Sequence, residues 1–205
     1  MGDAIYIVEY RSISRGVMTL DRMMKRSDVM ALYAAPVCIG KYVIAVGGGV
    51  GDVRESKAEA EASDGIVAGY LITGAHPGVL GYFRRVRRER QTEQGSPDAV
   101  GIFETRNISS GFMSLDAALK NGQTQITRIW MGHFIGGKFC WVISGETSEV
   151  ASSLAAAARA IPGDIVGSEL IPRPDASTLY LFSSNSAAFD VTASRYPGGD
   201  AGETA

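Results

Sequence analysis

The fold is decided by the stretch Ala35-Pro-Val-Cys-Ile-Gly-Lys-Tyr-Val-Ile-Ala-Val-Gly-Gly-Gly-Val-Gly-Asp-Val53, which returns near the other end of the chain as Gly132-His-Phe-Ile-Gly-Gly-Lys-Phe-Cys-Trp-Val-Ile-Ser-Gly-Glu-Thr-Ser-Glu-Val150. Both copies have the order loop, Gly-Lys, apolar strand, small-residue turn, acidic residue and helix. Lys41 matches Lys138, and the same separation relates Asp52 to Glu149. A recurrence of this kind predicts a structural unit that is present twice.

A second pair of segments supports the duplication. Glu9-Tyr-Arg-Ser-Ile-Ser-Arg-Gly-Val-Met-Thr-Leu-Asp-Arg-Met-Met-Lys25 lies over Glu104-Thr-Arg-Asn-Ile-Ser-Ser-Gly-Phe-Met-Ser-Leu-Asp-Ala-Ala-Leu-Lys120, with nine of seventeen positions identical. Chance does not produce that agreement. We interpret the chain as a duplicated domain.

The composition is that of an ordinary globular protein and narrows the range of partners. The 205 residues are 45% hydrophobic and 20% charged, with a net charge of −2, and they can bury one large core or two smaller ones. This charge balance argues against a nucleic-acid partner, which would require a clustered basic surface. No apolar run is long enough to span a membrane. The strand pattern begins almost at once, without a charged-then-apolar stretch, so we expect no secretion. Two cysteines do not make a disulfide framework, so we expect a cytoplasmic protein.

Each copy is predicted to have the order β-α-β-β-α-β, the ferredoxin-like split βαβ arrangement of the α/β (α+β) class. The predicted elements, first copy then second, are a strand over Ala4 to Tyr10 and Ala99 to Thr105; a helix capped by Ser14 and Ser109; a strand over Val29 to Ala34 and Thr127 to Gly132; a strand from Lys41 and from Lys138; a helix over Val53 to Ser63 and Val150 to Ala160; a strand over Ile66 to Ile72 and Ile165 to Ile171; and a short helix over Val79 to Phe83 and Ser177 to Phe182.

The predicted domain boundaries follow from these patterns. Residues 1–83 form the first domain, 84–98 a linker, 99–182 the second domain and 183–205 a flexible tail. The linker opens with the basic run Arg84-Arg-Val-Arg-Arg-Glu-Arg90, which we interpret as an exposed connection, with a site for an acidic partner as the alternative. The tail is rich in Ser, Ala, Gly and Asp and has no sustained periodicity.

The repeated block resembles a known family. A Gly-Lys at the start of a strand, a Gly-Asp-Val turn into a helix and a final proline turn resemble the bacterial microcompartment shell domain. Two such units in direct tandem resemble its trimeric tandem class. The segments Cys38-Ile-Gly-Lys41 with Gly136-Gly-Lys138, His76-Pro77 and Ile171-Pro-Arg-Pro174 are most similar to the iron–sulfur-carrying members from propanediol-utilisation compartments. The second copy departs from the pattern, because Glu146-Thr-Ser-Glu149 replaces the Gly-Asp-Val turn.

The resemblance implies a structural protein of the shell of a bacterial microcompartment in the cytoplasm. Three chains with two domains each would form a homotrimer with the outline of a hexamer, a pseudohexameric tile that packs against other shell proteins. Encapsulated enzymes or redox partners would lie on one side. In the family Lys41 and Lys138 would make the tile-edge contacts. The loops before these lysines would surround a central pore, with Val37, Cys38, Ile39, Gly40, Phe134, Ile135 and Gly136 as pore residues.

Cys38 is the candidate metal ligand. Its counterpart in the second copy is Ile135, so a three-chain ring would present three copies of one thiol at its centre. A 4Fe–4S cluster is usually held by four thiolates, and three thiolates with one other ligand make a workable set. With the resemblance, we expect Cys38 to hold one such cluster per trimer. The alternative is a small apolar loop residue, which free cysteine often is. Cys140 lies in an apolar strand and is predicted to be a core thiol.

The other polar groups favour structure over catalysis. Gly47-Gly-Gly-Val-Gly-Asp52 lacks the Lys-Ser/Thr of a phosphate-binding loop and is interpreted as a strand-to-helix turn. Glu9 and Glu104 recur with the repeat, which suits pairing with Arg11 and Arg106 or helix capping better than acid–base chemistry. No nucleophile–base grouping is present in the sequence pattern, so we expect no enzyme. A soluble trimeric ferredoxin-like sensor that binds a small molecule is the alternative, and an enzyme with Cys38 as nucleophile is a weaker one.

Overall fold

The computed structural model describes residues 2–83, 97–133, 135–176 and 178–179. The first half contains β1 (Ala4–Tyr10), α1 (Ile13–Arg26), β2 (Met30–Val37), a 3-10 turn (Cys38–Gly40), β3 (Lys41–Gly48), α2 (Val50–Glu61), β4 (Ile66–Ile72) and α3 (Pro77–Phe83). The second half contains β5 (Ala99–Thr105), α4 (Ile108–Asn121), β6 (Gln125–Met131), β7 (Phe139–Gly145), α5 (Thr147–Ala160) and β8 (Ile165–Pro172).

The two halves have the same sheet topology within the described residues. Their strand orders are β2-β3-β1-β4 and β6-β7-β5-β8, and neighbouring strands run antiparallel. The registers also correspond, since Ala4 pairs with Gly48 and Ala99 pairs with Gly145. This order confirms the predicted duplicated ferredoxin-like fold, because the apolar β-branched strands are central and the helices connect them.

The first helix of each half begins earlier than predicted. Ser12, in an extended conformation, caps α1 by accepting a hydrogen bond from the Arg15 backbone N–H at 3.3 Å, and Asn107 occupies the cap position of α4. The prediction of Ser14 and Ser109 as caps is therefore wrong, since both lie inside the first turn. In both halves the cap residue is still extended, and the helix begins three residues after the end of the preceding strand, at Ile13 and at Ile108.

The second helices also begin early, at Val50 and Thr147, each about one turn before the predicted start. Their caps are Gly49 and Glu146, both extended. The predicted acidic residues Asp52 and Glu149 lie in the first helical turns, where a negative charge suits the positive end of the helix dipole. The small-residue turn is thus part of the helix rather than a loop before it.

The first sheet is covered on both faces. Tyr6 and Val8 face a core shared with α1 and α2 of the same half. Ile5 and Ile7 face the opposite way, into a second core that also contains Phe112 of α4. One continuous core therefore joins the two halves. It holds α4 between them, and this arrangement places the loops before β3 and β7 side by side.

Some predictions lie outside the described residues. These are the basic run at 84–90, pore residue Phe134, most of the helix expected over 177–182, and the tail at 183–205. Across the described ranges, no helix is both long enough and apolar enough to cross a membrane.

Candidate functional site

The loop that carries Cys38 is a strained, outward-facing turn. Ile39 adopts φ 60° and ψ 21°, a left-handed conformation that a β-branched residue rarely occupies, and its side chain is 78% exposed. Gly40 follows at φ 77°. Cys38 itself is half-buried. The turn thus combines a strained backbone conformation with an exposed apolar side chain. This combination is typical of a contact or functional loop.

The matching loop of the second half lies against it. Gly132, Gly136 and Gly137 have φ values between 66° and 73°, which glycine adopts without strain. A Cβ on Gly137 would lie 3.0 Å from the carbonyl oxygen of Cys38. The two predicted pore loops are therefore neighbours, and only glycine allows their backbones to come this close.

The predicted pore residues differ in their exposure to solvent. Val37 is 5% exposed, and its side chain packs against the backbone of Gly132 in the shared core. The prediction that Val37 lines a pore is therefore wrong for its side chain. Ile39, Gly40 and Gly136 are exposed. Their role at a pore, with that of the half-buried Ile135, stays a prediction.

Lys41 lies between the two halves of the chain. Its ammonium nitrogen is 2.6 Å from Oε2 of Glu9 and donates to the carbonyl oxygen of Gly137 at 3.2 Å and to Oδ1 of Asn107 at 3.4 Å. The residue is only 6% exposed. The prediction of Lys41 as a tile-edge contact is wrong, because its charge is satisfied inside the chain.

Glu9 completes this contact and also caps a helix. Its Oε1 accepts hydrogen bonds from the backbone N–H and the hydroxyl of Ser109, each at 2.8 Å. The backbone N–H groups at the start of a helix have no partner within the helix, and a carboxylate there is favoured by the dipole. The capping role suggested for Glu9 agrees with this geometry. Its predicted partner was wrong, since Glu9 pairs with Lys41 rather than with Arg11.

The second half repeats the ion pair in a more open setting. Lys138 and Glu104 are 2.5 Å apart, with side chains 39% and 31% exposed. Glu104 therefore pairs with Lys138, whereas Arg106 donates to the carbonyl oxygen of Gly163. The tile-edge role of Lys138 stays a prediction.

This pair of ion pairs is the feature that the sequence analysis missed. An acid on the first strand and a lysine at the start of the third recur together in both copies. Those strands are neighbours in each sheet, so that joint recurrence was the available signal.

Cys140 differs in character from Cys38. Burial is the main cause that raises the pKa of the Cys140 thiol to about 12, and the carboxylate of Glu104 adds to the effect. A thiol with this pKa stays protonated near neutrality and is a poor metal ligand. Cys140 is only half-buried in the chain, however, so the prediction of a core thiol is not confirmed.

A metal site cannot be built from one chain in the part that the structure describes. Those residues contain no group of three or more His, Cys, Asp or Glu side chains that could hold a metal ion. Cys38 therefore fits a cluster only as one donor of a set that several chains share. The outward position of its loop is compatible with such sharing.

Comparison with known proteins identifies the family. The BMC domain profile matches residues 4–75 and again residues 99–174, which together cover most of the chain and coincide with the two sheets. The chain belongs to the BMC domain family. It is a tandem-domain structural component of the shell of a bacterial microcompartment, a cytoplasmic particle.

Individual relatives agree with this assignment. The chain is 30% identical over 181 residues to the bacterial microcompartment shell protein PduT of Citrobacter freundii. The matched region covers 86% of this chain and 96% of that protein. A crystal structure of a microcompartment protein from Desulfitobacterium hafniense has a TM-score of 0.71 and 32% identity, over 85% of this chain and 97% of that one. The fused permuted hexameric shell protein MSM0275 has a TM-score of 0.55 at 17% identity, over 76% and 82% of the chains, and shares the fold.

Proposed function

We propose that three copies of this BMC chain close into a pseudohexameric tile with the Cys38 loops at its centre. The proposal is supported by the way the halves meet, since the two loops before β3 and β7 lie together on one side of the chain. A ring of such chains brings six loops of two alternating kinds around one axis. The tile would pack with other shell proteins into the layer that encloses the compartment.

We further propose that the three Cys38 thiolates hold one 4Fe–4S cluster per ring. The observation that carries this is the placement of Cys38 in an outward loop whose counterpart carries Ile135. Because only the first half of the chain has the cysteine, a ring of three chains has three such thiolates. Six thiolates, one from each half, would not suit a cubic cluster. Such a cluster supplies one-electron transfer, and in a thin shell it could serve redox partners on both faces. Without a cluster, the same opening would be a pore for small molecules.

Anaerobic purification tests the cluster. The expected result is a brown protein with iron and acid-labile sulfide near one cluster per three chains, and with the mass of three chains. Cys38→Ser should be colourless and keep the same mass. The matched control is Cys140→Ser, which should keep iron and sulfide because Cys140 lies in strand β7 and its thiol, with a pKa raised to about 12, is a poor metal ligand. Wild-type protein purified without iron or sulfide would overturn the cluster proposal.

Electron microscopy tests the tile. Purified protein is expected to form flat hexagonal layers or to join layers formed by other BMC proteins. A soluble sensor of the same fold would form neither. Wild-type protein that stays monomeric at high concentration would overturn the ring itself.

A further inference from the structure

The turn that carries Cys38 is held at its first end by the loop of the second half. Val37, the residue before the turn, is 5% exposed. Its side chain lies against Gly132, where an added Cβ would be 3.1 Å from the Cβ of Val37. Gly132 adopts φ 70°, so both the backbone conformation and the close approach require glycine. Val37 therefore fixes the backbone where the turn begins.

Lys41 holds the other end of the turn. Its ammonium group pairs with Glu9 at 2.6 Å and donates to the carbonyl oxygen of Gly137 at 3.2 Å. The backbone of Gly137 also lies against the turn, since an added Cβ would be 3.0 Å from the carbonyl oxygen of Cys38. Hydrogen bonds from charged donors are stronger than those between neutral groups. Lys41 therefore ties the end of the turn to the second loop.

The two points of attachment are themselves joined. The backbone N–H of Gly137 donates to the carbonyl oxygen of Gly132 at 2.9 Å, and the N–H of Gly132 donates to the carbonyl oxygen of Lys138 at 2.9 Å. These hydrogen bonds close the second loop on itself. The closed loop is a support to which the Cys38 turn is attached on both sides.

The turn requires such a support because its backbone is strained. Ile39 adopts φ 60° although it is β-branched. Ile39 and Gly40 are both exposed, so burial of their own atoms does not hold them in place. Strained conformations persist only when the surrounding structure enforces them. The attachments at Val37 and Lys41 lie directly before and after this turn and supply that constraint.

We propose that Lys41 and Gly137 are positioning residues for the Cys38 thiol, and that they form the turn in its final conformation within a single chain. This inference rests on the proposed function, in which Cys38 binds the cluster. A cluster shared by three chains requires three thiolates in fixed positions, and donors that are held before assembly lose less conformational entropy when the ring closes. The charge of Lys41 is matched by that of Glu9, so its contribution is geometric.

Gly137→Ala tests the contact with the carbonyl oxygen of Cys38. The added methyl group would lie 3.0 Å from that oxygen and 3.0 Å from Cε of Lys41, so the turn must move. The control is Gly65→Ala, because Gly65 also has a positive φ, 91°, but a Cβ there has no neighbour within 4 Å. We expect amide hydrogen exchange in residues 38–41 to be about tenfold faster in Gly137→Ala and unchanged in Gly65→Ala.

The hydrogen bond from Lys41 is tested by the double variant Glu9→Gln with Lys41→Met. Replacing both partners leaves no buried charge unpaired, so the chain stays folded, but the bond to Gly137 is lost. The control is Lys57→Met with Glu61→Gln, which removes a more exposed pair on α2. Exchange in the turn should be about tenfold faster in the first double variant and unchanged in the second.

Cys38→Ser separates the effect of the support from that of the cluster. This variant cannot hold the cluster but keeps both attachments of the turn. Its turn should exchange as slowly as that of the wild type, because the chain holds it without a cluster. Fast exchange in Cys38→Ser would overturn the inference, since the cluster would then be what holds the turn. Equal exchange in Gly137→Ala and Gly65→Ala would overturn it as well.

The iron-loaded protein provides a second measurement. A ferrous chelator should remove iron about tenfold faster from Gly137→Ala and from the first double variant than from the wild type. The electron paramagnetic resonance spectrum of the reduced cluster should also change, because the thiolates are displaced. A purely structural role would lower the free energy of unfolding and leave that spectrum unchanged. Wild-type spectra and iron-release rates in both variants would overturn the positioning role.

The outcomes also separate this inference from the proposed function. Wild-type protein without iron would overturn the cluster, and the exchange rates of the two glycine variants would still decide whether the second loop holds the turn. Wild-type protein with iron, but with the same exchange in all variants, would leave the cluster standing and overturn the inference. Circular dichroism of each variant confirms that the chain is folded.

Discussion

Glu9 and Ser109, one hundred residues apart in the sequence, are joined by two hydrogen bonds of 2.8 Å to a single carboxylate oxygen. The first half of the chain therefore caps a helix of the second half. Asn107, at the cap position of α4, is engaged elsewhere, since its amide donates to Asp164 at 3.2 Å and its Oδ1 accepts from Lys41. The carboxylate from the other half takes the role that a cap side chain normally has.

Glu9→Gln is expected to destabilise the chain by about 3–5 kcal/mol, because it leaves Lys41 buried without a counterion while preserving the size of the side chain. Urea unfolding at a fixed protein concentration measures the change. Glu61→Gln is the matched control, since the side chains of the Lys57–Glu61 pair are 31% and 48% exposed and the pair should contribute about 0.5 kcal/mol or less. Equal losses of unfolding free energy in the two variants would show that the buried pair stabilises the chain no more than the Lys57–Glu61 pair does.

The sheets could be predicted from the sequence because their central strands are short, apolar and β-branched, and because each appears twice. Ala4–Tyr10 and Ala99–Thr105 are read correctly to the residue. The starts of the helices were not predicted correctly. Ser12 and Ser14 are the same residue type, and only the backbone conformation decides which of them caps the helix.

The contact between the halves could not be predicted, because identical residues in the two copies do not indicate which copy is buried by the other half. The side chain of Lys41 is 7% exposed and that of Lys138 is 39% exposed, although both begin the same motif. Which copy is covered depends on how one half docks on the other, a tertiary property. Cys38 lies in a turn before β3, as predicted, although the preceding residues Ala35 to Val37 belong to β2 and not to the loop. The chemistry of Cys38 depends on neighbouring chains that the sequence of one chain does not describe.

Gly111→Ala is expected to destabilise the chain by about 1–3 kcal/mol, because a Cβ at that position of α4 would meet the ring of Phe139 at 2.3 Å. The control is Gly51→Ala in α2, where a Cβ has no neighbour within 4 Å. That change should stabilise the helix by up to about 1 kcal/mol. Thermal unfolding of both variants gives opposite signs if the packing of α4 against β7 is as tight as described.

Asp98 provides a pH-dependent anchor for α5. Hydrogen bonds from the hydroxyl and backbone N–H of Thr147 lower the pKa of Asp98 below its ordinary value of 3.8. Because the folded pKa is depressed, the stabilisation is present above the unfolded pKa and is lost as the pH falls through the folded pKa. Thr147→Val should therefore move the pKa of Asp98 upward, as measured by NMR of its carboxyl carbon. Thr147→Ser keeps the hydroxyl and should leave the pKa low; a high value in the serine variant would contradict the assignment.

Ser114→Ala is expected to destabilise the second half by about 1–3 kcal/mol. It removes the hydrogen bond that the hydroxyl donates to the carbonyl oxygen of Gly111 and the one that it accepts from Trp141. The indole N–H of Trp141 donates to the Ser114 hydroxyl at 3.0 Å, in a site where Trp141 is fully buried and stacked on Phe103. Without the hydroxyl, the N–H is left buried and unsatisfied. Trp141→Phe in the Ser114→Ala background removes that N–H, so the serine substitution should cost less there than in the wild type. A double-mutant cycle by urea unfolding measures the difference, and a coupling energy near zero would mean that the hydrogen bond does not stabilise the core.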